Sequence, residues 1–484
     1  MLFDSIELLN TAKADNLSII SGNTFPTGSI GELFNKTGTD EGLYYHDGTQ
    51  WMQFATELSG VGEGIVIETG ATYPATPYAG QLFIKTGVDA NTYSYNGETW
   101  IALTIPVIPP PGGGGGEEPS VPGNLWTWGV NNWGQLGLGY VTSGGWYPPP
   151  VDIPEQITTI GTVSKMAMGP LNGAAIKSDG TLWTWGGAWY GALGDGTNEY
   201  NDTSVPGQVG LNTDWKDVKM IEYSVLALKT DGTLWSWGDN TYGQLGDGTT
   251  VNKSSPIQIG SGTNWAQICT SRFSSFAIKT DGTLWTWGDN SIGYLGDGTI
   301  IPKSSPVQVG SLTDWKNISI VDSSVLALKT NGTIWSWGAN YSGQLGLGDT
   351  THRSSPVQIG TSTDWKYVSC NTSASFAIKT DGTLWSWGDN QYGQLGTINV
   401  GFGDQWRSSP LQVGALTDWK SVQCKGFAGV GLKTDGTLWG WGDNSHGVLG
   451  EGIYSTVFSP MQITSYTNWV SFETGQTGIM GLRA

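Results

Sequence analysis

Ser275-Phe276-Ala277-Ile278-Lys279-Thr280-Asp281-Gly282-Thr283-Leu284-Trp285-Thr286-Trp287-Gly288 decides the fold. Ser275–Thr280 alternates apolar with small or polar residues, as a half-buried strand does. Asp281-Gly282 then reads as a tight hairpin of type I′, which needs positive φ at both central positions. Thr283–Gly288 is a second strand, rich in aromatic and β-branched residues. Gly293-Tyr294-Leu295-Gly296 breaks the pairing. Pro306–Val309 and Trp315–Ile320 give two further strands. Four short antiparallel strands make one unit.

The unit recurs. LWSWG or a close variant starts at Leu125, Leu182, Leu234, Leu284, Ile334, Leu384 and Leu438, at spacings of 57, 52, 50, 50, 50 and 54 residues. A fixed period near 50 residues signals a repeat architecture. The predicted fold class is all-β: a seven-bladed propeller of four-stranded antiparallel blades, preceded by two small β-meander repeats. A basic residue marks one place in every unit: Lys177, Lys229, Lys279, Lys329, Lys379, Lys433 and Arg483. After Arg483 only Ala484 follows, and the missing turn strand stands orphaned at Asn124–Gly129. The reading therefore pairs Gly478–Arg483 with Asn124–Gly129 and closes the ring between N- and C-terminal strands.

Composition narrows the function. Lys and Arg number 22 against 41 Asp and Glu, a net charge of −19. That disfavours binding to nucleic-acid phosphates and to anionic membrane surfaces. No apolar run approaches 18 residues, so membrane insertion is not expected. The start, Met1–Glu7, lacks the basic and apolar regions of a secretory signal. Of 26 Trp, 24 follow residue 122, so they belong to the repeat. Cys269, Cys370 and Cys424 fall in the Trp-led strands of three different units and read as small buried apolar residues.

The first 122 residues differ. Gly31–Gly38 matches Gly80–Gly87, and Tyr45–Trp51 matches Ser94–Trp100, at an offset of 49 residues. Each copy reads as a three-stranded meander, marginal alone. Four parts follow: 1–27, an anchor or docking segment in which Asp4 caps a short helix; 28–105, the two small repeats; 106–122, a Pro/Gly-rich linker; and 123–484, the propeller. The linker's prolines form a stiff spacer and Gly112–Gly116 a swivel.

No catalytic, metal or cofactor pattern appears. His46, His352 and His446 show no ligand spacing. There is no Gly-x-Ser-x-Gly elbow. The repeated Asp-Gly pairs read as turn chemistry, and one Asp per GDGT loop supplies too few oxygens for calcium. The chain reads as a non-enzyme with no cofactor.

Binding residues are sought where the repeat departs from itself. From the first Gly of GxLG to the next strand's proline, blades 3, 4, 5 and 7 run 13 residues. Blade 2 runs 15, blade 6 runs 17 and blade 1 at least 16. The candidate ligand-binding aromatics on or beside these loops are Trp146, Tyr147, Trp189, Tyr190, Tyr200, Phe402 and Trp406. Closure makes blades 6, 7, 1 and 2 neighbours, so the long loops should cluster on one face. Convergent Trp and Tyr suit protein anchors or sugar stacking; the bland alternative is tolerated surface loops.

WSWG, then GxLG, then a proline-led strand resembles the regulator of chromosome condensation family, over residues 123–484. The resemblance implies a seven-bladed propeller. That family includes exchange factors for a small GTPase, and similar bacterial rings include a secreted β-lactamase inhibitor. Its inner strand usually carries a glycine followed by a histidine. Here the histidine place holds Asn172, Ser224, Ser274, Ser324, Ala374, Ala428 and Gly478, and the glycine stands only at Gly169 and Gly475; the departure argues against exchange activity. The GELFNKTG and GQLFIKTG units resemble short repeats of bacteriophage tail fibres and other virion proteins. That resemblance implies a virion structural protein, made in the host cytoplasm and homotrimeric. Its residues 1–105 would dock to other virion proteins, and its propeller would meet a host-surface glycan or protein. The alternative is a non-viral propeller that inhibits a protein or regulates a GTPase.

Overall fold

The structure is a computed structural model. It describes the backbone of short strands in the first 102 residues, and residues 122–142, 150–197, 201–397, 406–444, 447–450 and 455–484. Two compact units divide at Pro110 and Pro111. The first holds two four-stranded sheets, each an antiparallel trio led by one parallel strand. Ile20–Gly22 pairs with Leu33–Lys36, and Ile67–Gly70 with Leu82–Lys85. The three-stranded reading missed the leaders because neither lies in the matching motifs. One leader falls inside the segment assigned as an anchor; the expected helix at Asp4 lies outside the described residues.

The second unit is a closed ring of seven four-stranded sheets. Each blade opens with an innermost strand. These are Val163–Met168 in blade 2, Trp215–Ile221 in blade 3, Trp265–Thr270 in blade 4, Trp315–Val321 in blade 5, Trp365–Cys370 in blade 6 and Trp419–Lys425 in blade 7. The Trp-led strand is thus the first of its blade, not the last of the preceding unit. Sequence order alone does not say where a repeat is cut. Blade 1 is composite: Trp469–Thr474 and Gly478–Arg483 from the C-terminus meet Asn124–Gly129 and Val151–Gln156 from the N-terminus. Six pairs run from Gly478↔Gly129 to Arg483↔Asn124, the register read from the sequence.

The hairpins differ from type I′. Gly282 has φ 76° but Asp281 is not in the positive-φ region. Gly282 N donates to Lys279 O at 2.9 Å and Lys279 N to Thr283 O at 3.0 Å. This is a three-residue loop, a type I turn followed by a left-handed glycine. The Asp281 carboxylate accepts from Thr283 N at 3.0 Å and Thr283 Oγ1 at 2.6 Å. Those bonds hold its titration below the ordinary carboxylate range. Thr283 Oγ1 in turn accepts the Trp285 indole N–H at 2.9 Å.

The fixed basic residue is explained by the two indoles around it. Lys329 Nζ lies 4.8 Å from the Trp315 ring centre and 4.3 Å from that of Trp335. It also pairs with Asp314 at 3.2 Å. Cation–π contacts of this kind contribute about 1–2 kcal/mol when desolvated. Arg483 takes the same role at the clasp, over Trp126, Tyr466 and Trp469.

The second Trp of each motif ties blade to blade. Its indole N–H donates to a backbone carbonyl in the GxLG loop of the preceding blade: Trp185 to Gln135 at 3.0 Å, Trp237 to Ala192 at 3.0 Å, Trp287 to Gln244 at 2.9 Å. Trp337 reaches Tyr294 at 2.9 Å, Trp387 reaches Gln344 at 2.9 Å and Trp441 reaches Gln394 at 2.8 Å. Trp128 closes the circle on Val448 at 3.1 Å. The last Gly of GxLG is required there: a Cβ on Gly246 would sit 2.6 Å from the Trp287 indole nitrogen.

Cys269, Cys370 and Cys424 are free thiols on innermost strands. Burial pushes the Cys370 thiol up to about 12. No helix among the described residues is long and apolar enough to cross a membrane.

Trp237→Phe removes the donor that Ala192 O depends on and leaves a small void. An unsatisfied buried group and a partial cavity together cost roughly 2–4 kcal/mol. Urea unfolding should show that loss. Trp235→Phe gives up the bond from a half-buried indole to Thr233 and should cost less than half as much.

Candidate functional site

In an antiparallel blade, the turn after the first strand and the loop after the third leave from the same end. This end is called here the upper face; the Asp-Gly turns occupy the lower one. Among the described residues, the GxLG loops of blades 1 to 6 place one residue just before their first glycine on the upper face. Those residues are Trp133, Tyr190, Tyr242, Ile292, Ser342 and Tyr392. Trp133, Tyr190, Tyr242 and Tyr392 are exposed, as is Tyr341 beside Ser342, at 66%. Large contiguous exposed apolar patches are uncommon on monomeric proteins.

Neighbouring blades join these rings into a surface. Trp133 packs edge-on against Trp189 at 5.5 Å, and Trp189 stacks on Tyr223 at 5.5 Å with an interplanar angle of 13°. Tyr190 meets the same Tyr223 at 5.1 Å. Tyr242 meets Phe273 at 4.9 Å, and Tyr392 meets Phe427 at 4.6 Å. Trp189 and Tyr190, two of the residues picked from sequence, are thereby brought together. Trp406 starts the outermost strand of blade 6 and is half exposed at the rim. Trp146, Tyr147, Tyr200 and Phe402 lie outside the described residues. Trp133, Tyr223, Tyr242, Phe273, Tyr341, Tyr392 and Phe427 were missed; the recurrent place before GxLG was the available signal.

Strain and charge gather on the same face. Among the described residues, three non-glycine residues have positive φ: Tyr190 at 58°, Glu222 at 40° and Asp322 at 51°. Tyr190 lies in the loop after the third strand of its blade; Glu222 and Asp322 lie in turns after the first. Conformations of this type cost about 1–3 kcal/mol each and concentrate at functional sites. Arg272 Nε binds Glu222 at 2.7 Å, and its guanidinium lies 4.9 Å from the Phe273 ring. Burial raises the Glu222 carboxyl above its ordinary value, and Arg272 opposes that shift. Burial also raises Tyr223, helped by the Glu222 charge. Asp322 accepts from Thr372 Oγ1 at 2.7 Å.

The innermost strands enclose an axial cavity of about 220 Å³. Its wall includes Lys165, Asp217, Lys219, Cys269, Cys370, Lys420, Cys424 and Glu473. Lys219 and Glu473 pair across it at 3.3 Å. Among the described residues no group of three or more His, Cys, Asp or Glu could hold a metal ion. His352 Nδ1 accepts from Asn340 N at 2.9 Å.

The chain is thus a seven-bladed propeller with an aromatic, strained and partly acidic upper face. The chain belongs to the RCC1-like domain family, whose model matches residues 123–480. It is 34% identical over 140 residues to the human E3 ubiquitin-protein ligase HERC2, a match covering 26% of this chain and 3% of that protein. It is 31% identical over 137 residues to the ultraviolet-B receptor UVR8 of Arabidopsis thaliana, covering 28% of this chain and 29% of the relative. The matched stretch thus spans less than a third of either relative's length. Among solved structures, Kap60-bound yeast RCC1 (Prp20) aligns with TM-score 0.66 at 18% identity, covering 75% of this chain and 90% of that one. Human WBSCR16 aligns with TM-score 0.66 at 20% identity, covering 75% and 98%. At these identities the structures show the fold alone.

These findings overturn the expected bacteriophage virion protein, its tail-fibre and host-attachment roles, and its location on a virion surface. The relatives are cellular proteins, among them the mitochondrial RUG3 of Arabidopsis thaliana. The virion reading rested on a short motif of the first 105 residues, and eight or so residues with two glycines recur easily in unrelated turns. Docking to other virion proteins and a homotrimer find no support in these relatives.

Tyr190→Gly tests the strain. Relief of a positive φ gains about 1–3 kcal/mol, set against roughly 0.5–1.5 kcal/mol for the lost ring contact with Tyr223. The unfolding free energy, measured by denaturant titration, should hold or rise; a fall beyond about 2 kcal/mol would contradict the assignment.

Proposed function

We propose that this chain is a non-enzymatic, protein-binding regulator whose upper face docks a partner protein. The observation that carries the reading is the coincidence, on one face, of stacked exposed aromatics with Tyr190, Glu222 and Asp322 held at positive φ. Rigid aromatic anchors are what protein hot spots are made of. Asp239, Asp289, Glu222 and Asp322 add negative charge around them, which suits a partner presenting Arg and Lys. Relatives support the class: yeast RCC1 (Prp20) is seen with Kap60 bound, and Prp20p has binding properties to Gsp1p and histones. The ligase activity named for HERC2 does not transfer, since the match covers 3% of that protein.

The candidate residues Trp146, Tyr147, Tyr200, Phe402 and Trp406 extend the same docking surface in this reading. The four-part organisation assigns 28–105 as a separate β module and 106–122 as its tether.

A photo-crosslinking amino acid at Tyr190 or Tyr242, and separately at Leu211 on the lower face, tests it with purified histones and a small GTPase as probes. Leu211 is 91% exposed, so access is not limiting. Adducts should form from the upper-face sites and not from Leu211. Equal yields from both faces would refute the reading, and a nucleotide-exchange assay with the same GTPase separates regulation of it from simple binding.

A further inference from the structure

Blade 5 holds its upper loop through a group that can take a proton. Asn340 N donates to His352 Nδ1 at 2.9 Å. His352 stands just before the outermost strand, Arg353–Gln358. Other blades fill the same place differently. Asp202 accepts from Ala188 N at 2.9 Å in blade 2, and Asn252 accepts from Asn240 N at 2.8 Å in blade 3. In blade 4 the place holds Pro302, and Asn290 N turns instead to the Asp289 carboxylate at 2.8 Å. Of these acceptor types, imidazole is the one whose charge ordinarily changes between about pH 5 and 8. Once protonated, both its nitrogens carry hydrogen and neither can accept.

Asn340 is fully buried, and a buried backbone N–H without a partner is costly. Its side chain is fixed independently of His352. Nδ2 donates to Asp349 O at 2.9 Å and Thr351 O at 3.2 Å, and Oδ1 accepts from Leu345 N at 3.0 Å. The loop therefore keeps its path, and the imidazolium is what must turn away. Tyr341 feels that departure, because its ring meets His352 at 4.5 Å and 72°. The acids on the neighbouring elements are already engaged. On the same segment Asp349 binds Arg353 at 2.6 Å. The loop of blade 4 meets Ser354 O through Gly298 N at 2.9 Å; there Asp297 binds Lys303 at 3.6 Å and Asp289 accepts from the Tyr294 hydroxyl. The outermost strand of blade 6, whose Ser408 O accepts from Gly348 N at 2.7 Å, adds the cation Arg407.

We propose that acid pH weakens docking at the upper face: protonated His352 gives up Asn340, and Tyr341 loses the contact that orders its ring. The control of docking rests on the protein-binding reading above; the local step at Asn340 does not. A ring that must be ordered at the moment of binding weakens affinity roughly two- to tenfold.

The full chain, isotope-labelled at its asparagine nitrogens, is followed by NMR from about pH 8 to pH 5. The Asn340 amide should move in a single titration, and the Asn240 amide should not. H352N carries the acceptor of blade 3 and should lose the response; N252H should confer it on Asn240. Purified histones then probe docking. Over the same range their affinity should fall roughly two- to tenfold further for the parent than for H352N. A flat Asn340 amide in the parent overturns the switch. An Asn340 amide that titrates, with equal falls in histone affinity for parent and H352N, overturns its control of docking. Histones that bind at neither end of the range overturn the docking reading and the control built on it, while the Asn340 amide still reports the local step.

Discussion

Seven indole N–H groups each cross a blade boundary to a loop carbonyl, and the ring stands on that repetition. One such bond is worth roughly 0.5–1.5 kcal/mol net. Seven together are then comparable to the about 5–15 kcal/mol by which a whole domain is stable. The bond also dictates sequence. Its acceptor loop must pass directly over the indole, which leaves no room for a side chain at the closing glycine of GxLG. WSWG and GxLG are two halves of one contact, set in adjacent blades.

The other strand faces complete the scheme. In six of the seven motifs the first Trp hands its N–H to a threonine, which in turn serves the turn aspartate or, in blade 5, Asn331. In blades 3 to 7 the same Trp also shares a lysine with the Trp of the innermost strand. Each blade thus sets a cation against aromatic rings, and in blades 3, 5 and 7 that lysine is buried. The upper face is left to vary, because its loops carry none of these obligations except at the glycines. Exposed rings and strained turns accumulate there.

How far the sequence could be read depends on whether a feature repeats. The period and the broken hairpin at Arg483 gave the ring and its clasp to the residue. The turn type failed, because Asp281 binds Thr283 through its side chain and stays in the ordinary backbone region, so glycine alone takes positive φ. The blade boundary failed because a cyclic permutation of four strands leaves the same periodic pattern. At the site, loop length drew the eye to insertions, whereas the aromatic surface is built largely from the constant place before GxLG. Trp189 and Tyr190 were found because blade 2 departs from its neighbours there; Tyr223 and Phe273, in short turns, carried no such mark. The cellular relatives were legible in WSWG and GxLG over three quarters of the chain, and a shorter motif in the first 105 residues pointed elsewhere.

Hydrogen exchange of the indole N–H groups, followed by NMR, tests ring closure most directly. If the clasp is as strong as the other boundaries, Trp128, Trp185, Trp237, Trp287, Trp337, Trp387 and Trp441 should exchange together, only on global unfolding. Fast exchange at Trp128 alone, with the other six protected, would show that the ring opens where its ends meet and would contradict the account.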